Sequence, residues 1–273
     1  ELKLQIINKN NCKILIIDNF LKSPNSYLKL LNKKYFKYDT GSDFPGYRIP
    51  AHEDLNKEIN NFIKNQISNK IFVTEGDVLK TRSSYSIISG KNSNLTLGNM
   101  LPHRDCIYYK TYKYSGIASV IYLCNPCEKY GGTGIYKQLT PIGQPYFHTD
   151  PKYSYERIKL EETVKKKIYC ADEDEIFYKK LYVADVKFNR AIFYPTNYFH
   201  QPIINHKYFN EIMNIEDKQA RLTITSWQIY SKKIKLNDTN DNIFEDADDR
   251  ADPYNNNFEE KFFKKRIKEL YNN

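Results

Sequence analysis

Short apolar segments separated by turn residues recur along the chain and predict β-strands. They cover residues 13–18, 82–88, 117–123, 133–137, 181–187, 190–194 and 221–230. Short strands with turn signals between them are typical of an antiparallel sandwich or barrel. The pattern therefore predicts a fold that is mainly β.

Two helices are predicted before the main run of strands. Ser23 and Pro24 form an N-cap followed by proline at the first helical position, which begins a helix that extends to about Lys34. The second helix has one apolar face at helical spacing, most simply packed on a sheet. That face consists of Leu55, Ile59, Phe62, Ile63 and Ile67. Between the two helices, residues 39–50 contain two glycines and two prolines and are predicted to be a loop.

These elements predict a single domain over residues 1–273. Residues 1–79 supply a strand and helices, and residues 80–230 form the β core with a helical insertion at 139–180. Residues 231–273 follow as an acidic linker and a C-terminal amphipathic helix, whose apolar stripe is Phe258, Phe262, Phe263, Ile267 and Leu270. This helix is expected to dock on the domain or on a second copy, which would make a homodimer.

Composition and cysteine usage narrow the class of protein. No apolar run approaches the roughly 18 residues of a membrane span, so no membrane partner is expected. Five cysteines, an odd number, argue against a disulfide framework and for a reducing, cytoplasmic compartment. Cys124 and Cys127 have redox or zinc spacing but lack a second pair, so two ordinary thiols are predicted. The chain begins at Glu1 and not at a methionine, so the sequence does not decide whether a targeting segment precedes it.

The net charge of +9 is spread along the chain. Residues 1–50 hold nine Lys and Arg against four Asp and Glu, whereas residues 201–250 hold seven against nine. A dedicated nucleic-acid-binding protein concentrates basic residues on one face. The distribution indicates only a mild attraction to acidic partners and makes nucleic acid an unlikely one.

His103 and Asp105 are the strongest candidates for chemistry. Two residues apart on an extended strand, their side chains leave the same face, and they can supply two ligands of a 2-His-1-carboxylate site for non-haem Fe(II). His-x-Asp also occurs at His52 and at His148. At His52 the start of a helix is predicted, with Asp54 as its N-cap, and His148 lies in a predicted loop that contains Pro and Gly. His200, at the end of a strand-like run, is the preferred third ligand. His206, in the charged loop that follows, is the alternative.

Several motifs together resemble the iron(II) and 2-oxoglutarate-dependent dioxygenases. They are Leu101-Pro102-His103-Arg104-Asp105, Tyr122-Leu123-Cys124-Asn125, Gly131-Gly132-Thr133, residues 188–195 and Arg221-Leu222-Thr223. Within that superfamily they are most similar to the DUF6445-like proteins of bacteria and phages. Residues 118–125 and 220–227 also resemble core strands of prolyl hydroxylases. The resemblance implies a double-stranded β-helix, or jelly roll, with flanking helices and with iron at its open end.

The resemblance also implies the roles of individual residues. His103, Asp105 and His200 match the Fe(II) ligands, Arg221 matches the cation that pairs with the distal carboxylate of 2-oxoglutarate, and Tyr122 matches a tyrosine that bonds to that carboxylate. Thr225 and Trp227 match residues that line the pocket. Physical reasoning supports Arg221, since a dicarboxylate in a narrow barrel needs a fixed planar cation. The alternative interpretation is that Arg221 is an exposed arginine on a strand, without a role in a site.

The implied activity is a hydroxylation coupled to decarboxylation of 2-oxoglutarate by O2. The substrate class is a peptide side chain, an amino acid or a small metabolite. Asp105 favours hydroxylation, because related halogenases replace this carboxylate with a small residue. Two rivals remain: a nucleic-acid dealkylase, with the tyrosines of residues 108–114 as a base-stacking lid, and a non-catalytic β-barrel that binds a ligand.

Two features depart from the prolyl hydroxylase pattern. His200 and Arg221 are 21 residues apart, where about ten are usual in prolyl hydroxylases, and the span contains His206. The insertion at 139–180 has no counterpart there, so the substrate of those enzymes does not transfer to this chain.

Overall fold

Two antiparallel sheets that face each other form the core of the computed structural model, and helices cover the outer side of the larger one. The structure describes residues 2–9, 12–31, 36–38, 46–67, 71–72, 78–88, 102–103, 105, 108–109, 112–113, 115–138, 178–196, 198–204 and 220–230.

The described strands are short and numerous, as the sequence pattern predicts. In chain order they are β1 (Lys3–Lys9), β2 (Cys12–Asp18), β3 (Lys37–Tyr38), β4 (Gly46–Pro50), β5 (Val78–Ile88), β6 (Tyr108–Tyr109), β7 (Tyr112–Lys113), β8 (Ser115–Tyr122), β9 (Tyr130–Gln138), β10 (Tyr178–Ala184), β11 (Ala191–Pro195), β12 (Phe199–Ile204) and β13 (Leu222–Tyr230). Helix α1 (Pro24–Leu30) lies between β2 and β3. Helix α2 (Glu53–Phe62), extended by a π-helical turn at Ile63–Ile67, lies between β4 and β5.

The strands alternate between the two sheets in the manner of a double-stranded β-helix. The large sheet has the order β1-β2-β11-β8-β13-β5-β4-β3, the small sheet has the order β10-β9-β12, and β6 pairs with β7. An isolated bridge between His103 and His200 adds the segment around His103 to the edge of the small sheet. From β5 onward the chain passes back and forth between four central strands of the large sheet and the small sheet. The fold is thus mainly β with flanking helices, and its core is a jelly roll.

Strand β11 illustrates how the two faces of the large sheet differ. Successive side chains of a strand point to opposite faces. Phe193 packs edge-on against Phe20 at 5.4 Å and stacks on Phe62 of α2 at 5.7 Å, so its face is the outer one. Tyr194 packs 4.8 Å from His200 of the small sheet, so its face is the inner one, toward the space between the sheets. All five residues of β11 are buried because both faces are covered.

Polar contacts attach β2 to the turn between β10 and β11. Asp18 accepts hydrogen bonds from Arg190 at 2.6 Å and from Lys187 at 2.7 Å. The Arg190 guanidinium is the main reason that the pKa of Asp18 falls to about 2. Asn189 adopts a left-handed backbone with φ of 59° and exchanges two side-chain hydrogen bonds with the backbone of Leu21. These contacts fix the edge of the sheet to which β1 is added.

The predicted apolar face of α2 is confirmed. Leu55, Ile59, Ile63 and Ile67 are all buried, and Phe62 is partly buried against the same core. The prediction that Asp54 is the N-cap of α2 was wrong, however. His52 occupies that position, and Asp54 lies in the first turn, where its negative charge faces the positive end of the helix dipole.

Helix α1 is shorter than predicted. It ends at Leu30, because Leu31 is extended with ψ of 117° and its N–H bonds to the carbonyl of Leu28 in a tighter last turn. Ser23 is the N-cap residue, with Pro24 directly after it, but its side chain makes no capping hydrogen bond.

The prediction of a loop over residues 39–50 was wrong at its end, where Gly46–Pro50 forms β4. Pairing with β5 supplies the backbone hydrogen bonds that the composition alone does not suggest. A Cβ at Gly46 would lie 2.0 Å from the carbonyl oxygen of Ile87, so glycine is what permits this close pairing.

The strand predicted at 181–187 instead spans Tyr178–Ala184. The helical insertion predicted at 139–180 was therefore wrong at residues 178–180. Residues 139–177 of the predicted insertion, and the predicted linker and helix at 231–273, lie outside the described residues. The sequence reasoning did not predict β1 and β12 as strands.

No helix among the described residues is both long enough and apolar enough to cross a membrane.

Candidate functional site

The backbone places His103, Asp105 and His200 on one side of the small-sheet edge. His103 and His200 exchange two hydrogen bonds, N–H to carbonyl oxygen, each of 2.9 Å. Residues that face each other in this way lie about 5.5 Å apart at Cα. Asp105, two residues beyond His103, donates its N–H to the Thr196 carbonyl at 2.9 Å. The alternation of an extended chain then directs Asp105 to the same side as His103.

These three side chains form a group that could hold a metal ion. Their ligand atoms all lie within 4.8 Å of one another. Asp105 approaches His200 Nε2 at 3.3 Å with Oδ2 and His103 Nε2 at 3.8 Å with Oδ1. Two imidazoles and one carboxylate on one side are the donor set of non-haem Fe(II) sites, which keep open positions opposite the protein ligands. The residues present fit such an ion.

A further hydrogen bond orients the His200 ring. Its Nδ1 lies 3.1 Å from the carbonyl oxygen of Tyr198, and since a carbonyl only accepts, Nδ1 carries the proton. In the neutral ring this leaves the Nε2 lone pair directed toward Asp105 and His103. The Tyr194 ring packs against the imidazole, with the two ring centroids 4.8 Å apart. Burial and then the negative charge of Asp105 raise the pKa of Tyr194 well above its usual value.

Arg221 lies just before β13 and is buried, with 3% of its surface exposed. Its Nη2 donates to the carbonyl of Gly132 at 3.1 Å and to the hydroxyl of Thr133 at 3.3 Å. Its Nε is buried and has no hydrogen-bond acceptor within the described part of the chain. No carboxylate among the described residues pairs with it either. Burial of a charge without a counter-charge is costly, so an anion close to this guanidinium would be stabilised.

Tyr122 lies beneath Arg221, with the guanidinium carbon 5.5 Å from the ring centroid. Its hydroxyl is fully buried, donates to the Ala184 carbonyl at 3.2 Å and lies 2.8 Å from the Thr133 hydroxyl. Because Tyr122 has one proton to donate, Thr133 donates to Tyr122 and accepts from Arg221. A continuous chain of hydrogen bonds thus runs from Arg221 through Thr133 and Tyr122 to Ala184.

Strands β9 and β10 approach closely at this chain of hydrogen bonds. A Cβ at Gly132 would lie 1.6 Å from the carbonyl oxygen of Ala184, so only glycine permits the approach. The Gly131-Gly132-Thr133 segment lies within β9 and has a structural reason: Gly132 lets the two strands approach, and Thr133 supplies the hydroxyl.

Thr225 and Trp227 lie on β13, both half-buried, on the same face as Tyr122. The Thr225 hydroxyl lies 3.1 Å from that of Ser86. The guanidinium of Arg48, on β4, lies over the Trp227 ring at 5.4 Å, and its Nε donates to the Ser86 hydroxyl at 3.3 Å.

The structure groups His103, Asp105 and His200, and it places Arg221 next to Tyr122. Thr225 and Trp227 share the sheet face of Tyr122. The interpretation of Arg221 as an exposed strand residue was wrong. The sequence reasoning missed Thr133, Tyr194 and Arg48. Alternation along β11 and β9 could have suggested Tyr194 and Thr133, whereas Arg48 fell in a segment predicted to be a loop.

The other His-x-Asp pairs and the cysteines lie elsewhere. His52 and Asp54 lie at the start of α2, both exposed, whereas His148, Asp150 and His206 lie outside the described residues. Cys124 is buried and Cys127 half-buried, both as free thiols, and burial raises the pKa of Cys124.

Comparison of the sequence and the structure with known proteins assigns the chain to a family. None of the curated proteins matches the sequence. Among solved structures, two crystal structures of EvdO2 from Micromonospora carbonacea var. aurantiaca match with 9% identity and a TM-score of 0.40, over 85% of this chain and 91% of that one. One of the two is complexed with 2-oxoglutarate. The family DUF6445, described as a family of unknown function, matches residues 1–227, and the chain belongs to this family.

Proposed function

We propose that the protein is an Fe(II)- and 2-oxoglutarate-dependent oxygenase that hydroxylates an unactivated C–H bond. The substrate class is a peptide side chain, an amino acid or a small metabolite. His103, Asp105 and His200 hold the metal. Arg221 holds the distal carboxylate of 2-oxoglutarate, with Tyr122, Thr225 and Trp227 around the cosubstrate.

One observation supports the proposal: a possible metal-ligand set and a buried arginine, for which the described residues supply no counter-charge, both face the space between the sheets. Tyr194, which touches His200, pairs with Ala118 across β11 and β8, whereas Tyr122 lies four residues further along β8, next to Arg221. Four residues of strand span about 13 Å. Side chains that extend from both ends shorten this gap to the length of a small dicarboxylate.

The chain's own residues each have a task in this proposal. Bound Fe(II) supplies the one-electron and oxygen chemistry that couples decarboxylation of 2-oxoglutarate to hydroxylation of the substrate. Asp105 offsets part of the metal charge, and the Nδ1–H bond to Tyr198 keeps His200 Nε2 free as a donor atom. Thr133 fixes the Arg221 guanidinium, so that the cosubstrate carboxylate meets a preorganised partner. The Tyr194 ring excludes water from one side of His200.

Asp105 supports hydroxylation over halogenation. A halide would need the position at the metal that a protein carboxylate occupies. Here Asp105 lies 3.3 Å from His200 Nε2 and 3.8 Å from His103 Nε2, where it would fill that position. A replacement of Asp105 by a small residue would open that position.

The test uses the purified full chain under anaerobic conditions. Fe(II) and then 2-oxoglutarate are added, and the visible absorption of the metal–keto acid chelate is followed. Succinate release on exposure to O2 is then measured across peptides, amino acids, small metabolites and oligonucleotides. His52→Ala is the matched control, since it removes an exposed histidine of another His-x-Asp pair. Failure to form the chelate would contradict the proposal, and release stimulated only by alkylated oligonucleotides would favour the dealkylase.

A further inference from the structure

Lys137 of β9 and Lys179 of β10 lie directly opposite each other in the small sheet. Lys137 is half-buried and Lys179 is exposed. No carboxylate among the described residues forms an ion pair with either lysine. Like charges at directly opposite positions of a sheet are destabilising. An anion held between the two ammonium groups would therefore offset a repulsion that the described residues leave in place.

Alternation along β9 places Lys137 on the inner face of the small sheet. Thr133 is on that face, because its hydroxyl accepts a hydrogen bond from Arg221. Ile135 is on it too, because it pairs with His200 and lies in the buried core. Every second residue of a strand points to the same face. Lys137 is the next in this series, and its cross-strand partner on β10 shares its face.

The outer face of the small sheet supports this orientation. Tyr136 packs edge-on against Tyr178, with ring centroids 6.5 Å apart, and Tyr178 packs against Phe199 at 5.6 Å. These outward rings alternate with the inward residues, since Tyr136 directly precedes Lys137 and Tyr178 directly precedes Lys179. The register of β10 shifts only further along the strand. The two lysines therefore form a regular pair that faces the space between the sheets.

The two lysines lie on the other side of the metal-ligand set from Arg221. Three inward residues of β9 mark successive levels about 7 Å apart. The first, Thr133, contacts Arg221. The second, Ile135, pairs with His200, and Lys137 comes one level further. Lys137 is thus a diagonal neighbour of His200, and such neighbours lie about 7–8 Å apart, within reach of long side chains.

A substrate has to approach the metal from a side that the cosubstrate does not fill. In the proposed function the cosubstrate spans the distance between the metal and Arg221, which leaves the side of Lys137 for the primary substrate. The side chain of His103 is 42% exposed, so solvent reaches the ligand set. A molecule that binds beside the ligand set on this side therefore comes within reach of Lys137, with Lys179 directly next to it.

The chemistry of the pair selects what that molecule carries. A lysine ammonium is a compact charge with three donors on a flexible stem, and two of them can converge on one group that has several negative oxygens. Hydrogen bonds between ions are stronger than those between neutral groups. The partial burial of Lys137 strengthens such a contact relative to one in bulk water. The net charge of +9 adds a general attraction for acidic molecules.

We propose that Lys137 and Lys179 together bind an oxyanion of the primary substrate, so that the substrate is an acidic amino acid or an acidic peptide. This inference rests on the proposed function for the meaning of "substrate". The oxyanion is a carboxylate or a phosphate ester. Both present several oxygens to the two ammonium groups, and the experiment separates them.

Limited acetylation reports on the two ammonium groups individually. The full chain, with Fe(II) and saturating 2-oxoglutarate and without O2, is treated briefly with an acetylating ester. Mass spectrometry then gives the extent of labelling at each lysine. The labelling is repeated over a concentration series of three blocked tripeptides: acetyl-Ala-Glu-Ala-amide, its Gln counterpart and its phosphoserine counterpart. These probes contain no amine that the ester would consume.

Four variants separate the pair from the general charge of the protein. Lys137→Gln and Lys179→Gln each remove one ammonium group, whereas Lys137→Arg keeps the charge. Lys180→Gln is the matched control, since it removes the same charge from the next residue of β10, which shares the outer face with Tyr136. Circular dichroism checks the fold. It should persist in Lys137→Gln and Lys179→Gln, because each change relieves a like-charge contact.

The Glu probe, the phosphoserine probe or both should protect Lys137 and Lys179 from acetylation, whereas the Gln probe should not. The probes should leave the labelling of Lys180 unchanged. Lys137→Gln should weaken the protection of Lys179 by about tenfold or more, and Lys179→Gln that of Lys137. Lys137→Arg should retain most of the protection, and Lys180→Gln should retain all of it. Whichever probe protects the pair identifies the oxyanion.

Other outcomes overturn the inference. They are no protection by any probe, a Gln probe that protects as well as the acidic ones, or protection that neither Lys137→Gln nor Lys179→Gln weakens. Protection by 2-oxoglutarate alone, or weaker chelate formation in Lys137→Gln, would assign the pair to the cosubstrate instead. Stronger protection by a short single-stranded oligonucleotide than by either acidic probe would favour the dealkylase.

The chelate absorption of the parent protein tests the proposed function separately. If the chelate does not form, that function fails. Acetylation without metal and 2-oxoglutarate then still decides whether the two lysines bind an oxyanion.

Discussion

His103 and His200 face each other across two strand segments and exchange both backbone hydrogen bonds, each of 2.9 Å. This register brings their rings to 4.5 Å between centroids, although the two residues are far apart in sequence. Sheet pairing, and not a local motif, therefore positions the two imidazoles. A slip of one residue in either segment would turn one ring to the other face.

Removal of any one of the three candidate ligands should abolish iron retention. His103→Ala, Asp105→Ala and His200→Ala each leave two donors, and the site lies at the sheet edge, so the fold should persist. Metal analysis after gel filtration, with circular dichroism for the fold, checks this. His52→Ala should retain iron. If His200→Ala retains iron while His206→Ala loses it, the third ligand is misassigned.

Arg221→Ala should weaken 2-oxoglutarate binding by about two orders of magnitude. The change leaves the cosubstrate carboxylate without its buried counter-charge, which typically costs about 3 kcal/mol. Iron content should stay normal, since Arg221 is not a ligand. Titration of the chelate absorption measures the affinity. Lys57→Ala, an exposed cation of α2, is the control, and an unchanged affinity in Arg221→Ala would remove Arg221 from the site.

Tyr122→Phe and Thr133→Val should weaken 2-oxoglutarate binding by about tenfold or less each, because each removes one hydroxyl from the chain that fixes Arg221. The two effects should not add, since both act on the same guanidinium. A double-mutant cycle should give a coupling energy of about 0.5–1.5 kcal/mol. Full additivity would mean that Tyr122 and Thr133 act independently, for instance with Tyr122 bound directly to the cosubstrate.

Asp18 should make the stability depend on pH in the acid range. Its pKa falls to about 2 in the folded protein, chiefly because Arg190 donates to it, while the unfolded value is about 3.9. The folded state thus binds fewer protons. This stabilisation is fully present above about pH 4 and is lost as the pH falls through about 2.

The carboxylate of Asp18 is 12% exposed, and the shift corresponds to about 2 kcal/mol. Denaturant unfolding of the parent and Asp18→Asn at several pH values should show a gap that closes as the pH falls. A gap that stays constant with pH would contradict the prediction.

Cys127 should react with iodoacetamide before Cys124 in the native protein. Cys124 is buried, and burial raises the pKa of its thiol, so little of the reactive thiolate forms. Cys127 is half-buried. Mass spectrometry of the alkylated, non-reduced protein gives the order and also tests the prediction that neither cysteine forms a bridge or binds zinc. Faster labelling of Cys124, a disulfide or bound zinc would each contradict it.

The sequence by itself determined the elements whose pattern is carried by their own residues. The buried face of α2 follows from the spacing of Leu55, Ile59, Ile63 and Ile67. Apolar runs between turn signals predict the strands β2, β5, β8, β9, β11 and β13. Strand context also singled out His103 and Asp105 among three His-x-Asp pairs, because two positions on one strand share a face.

Only the tertiary structure decided which side chains enter the space between the sheets. Gly46–Pro50 has a loop composition, yet pairing with β5 makes it a strand and turns Arg48 inward. Thr133 gains its hydroxyl contacts because Gly132 lets β9 approach β10. Arg221 is buried and without a carboxylate partner among the described residues only because the small sheet covers it. Each of these depends on which segments far apart in sequence pair with each other, and a strand's own pattern does not name its partner.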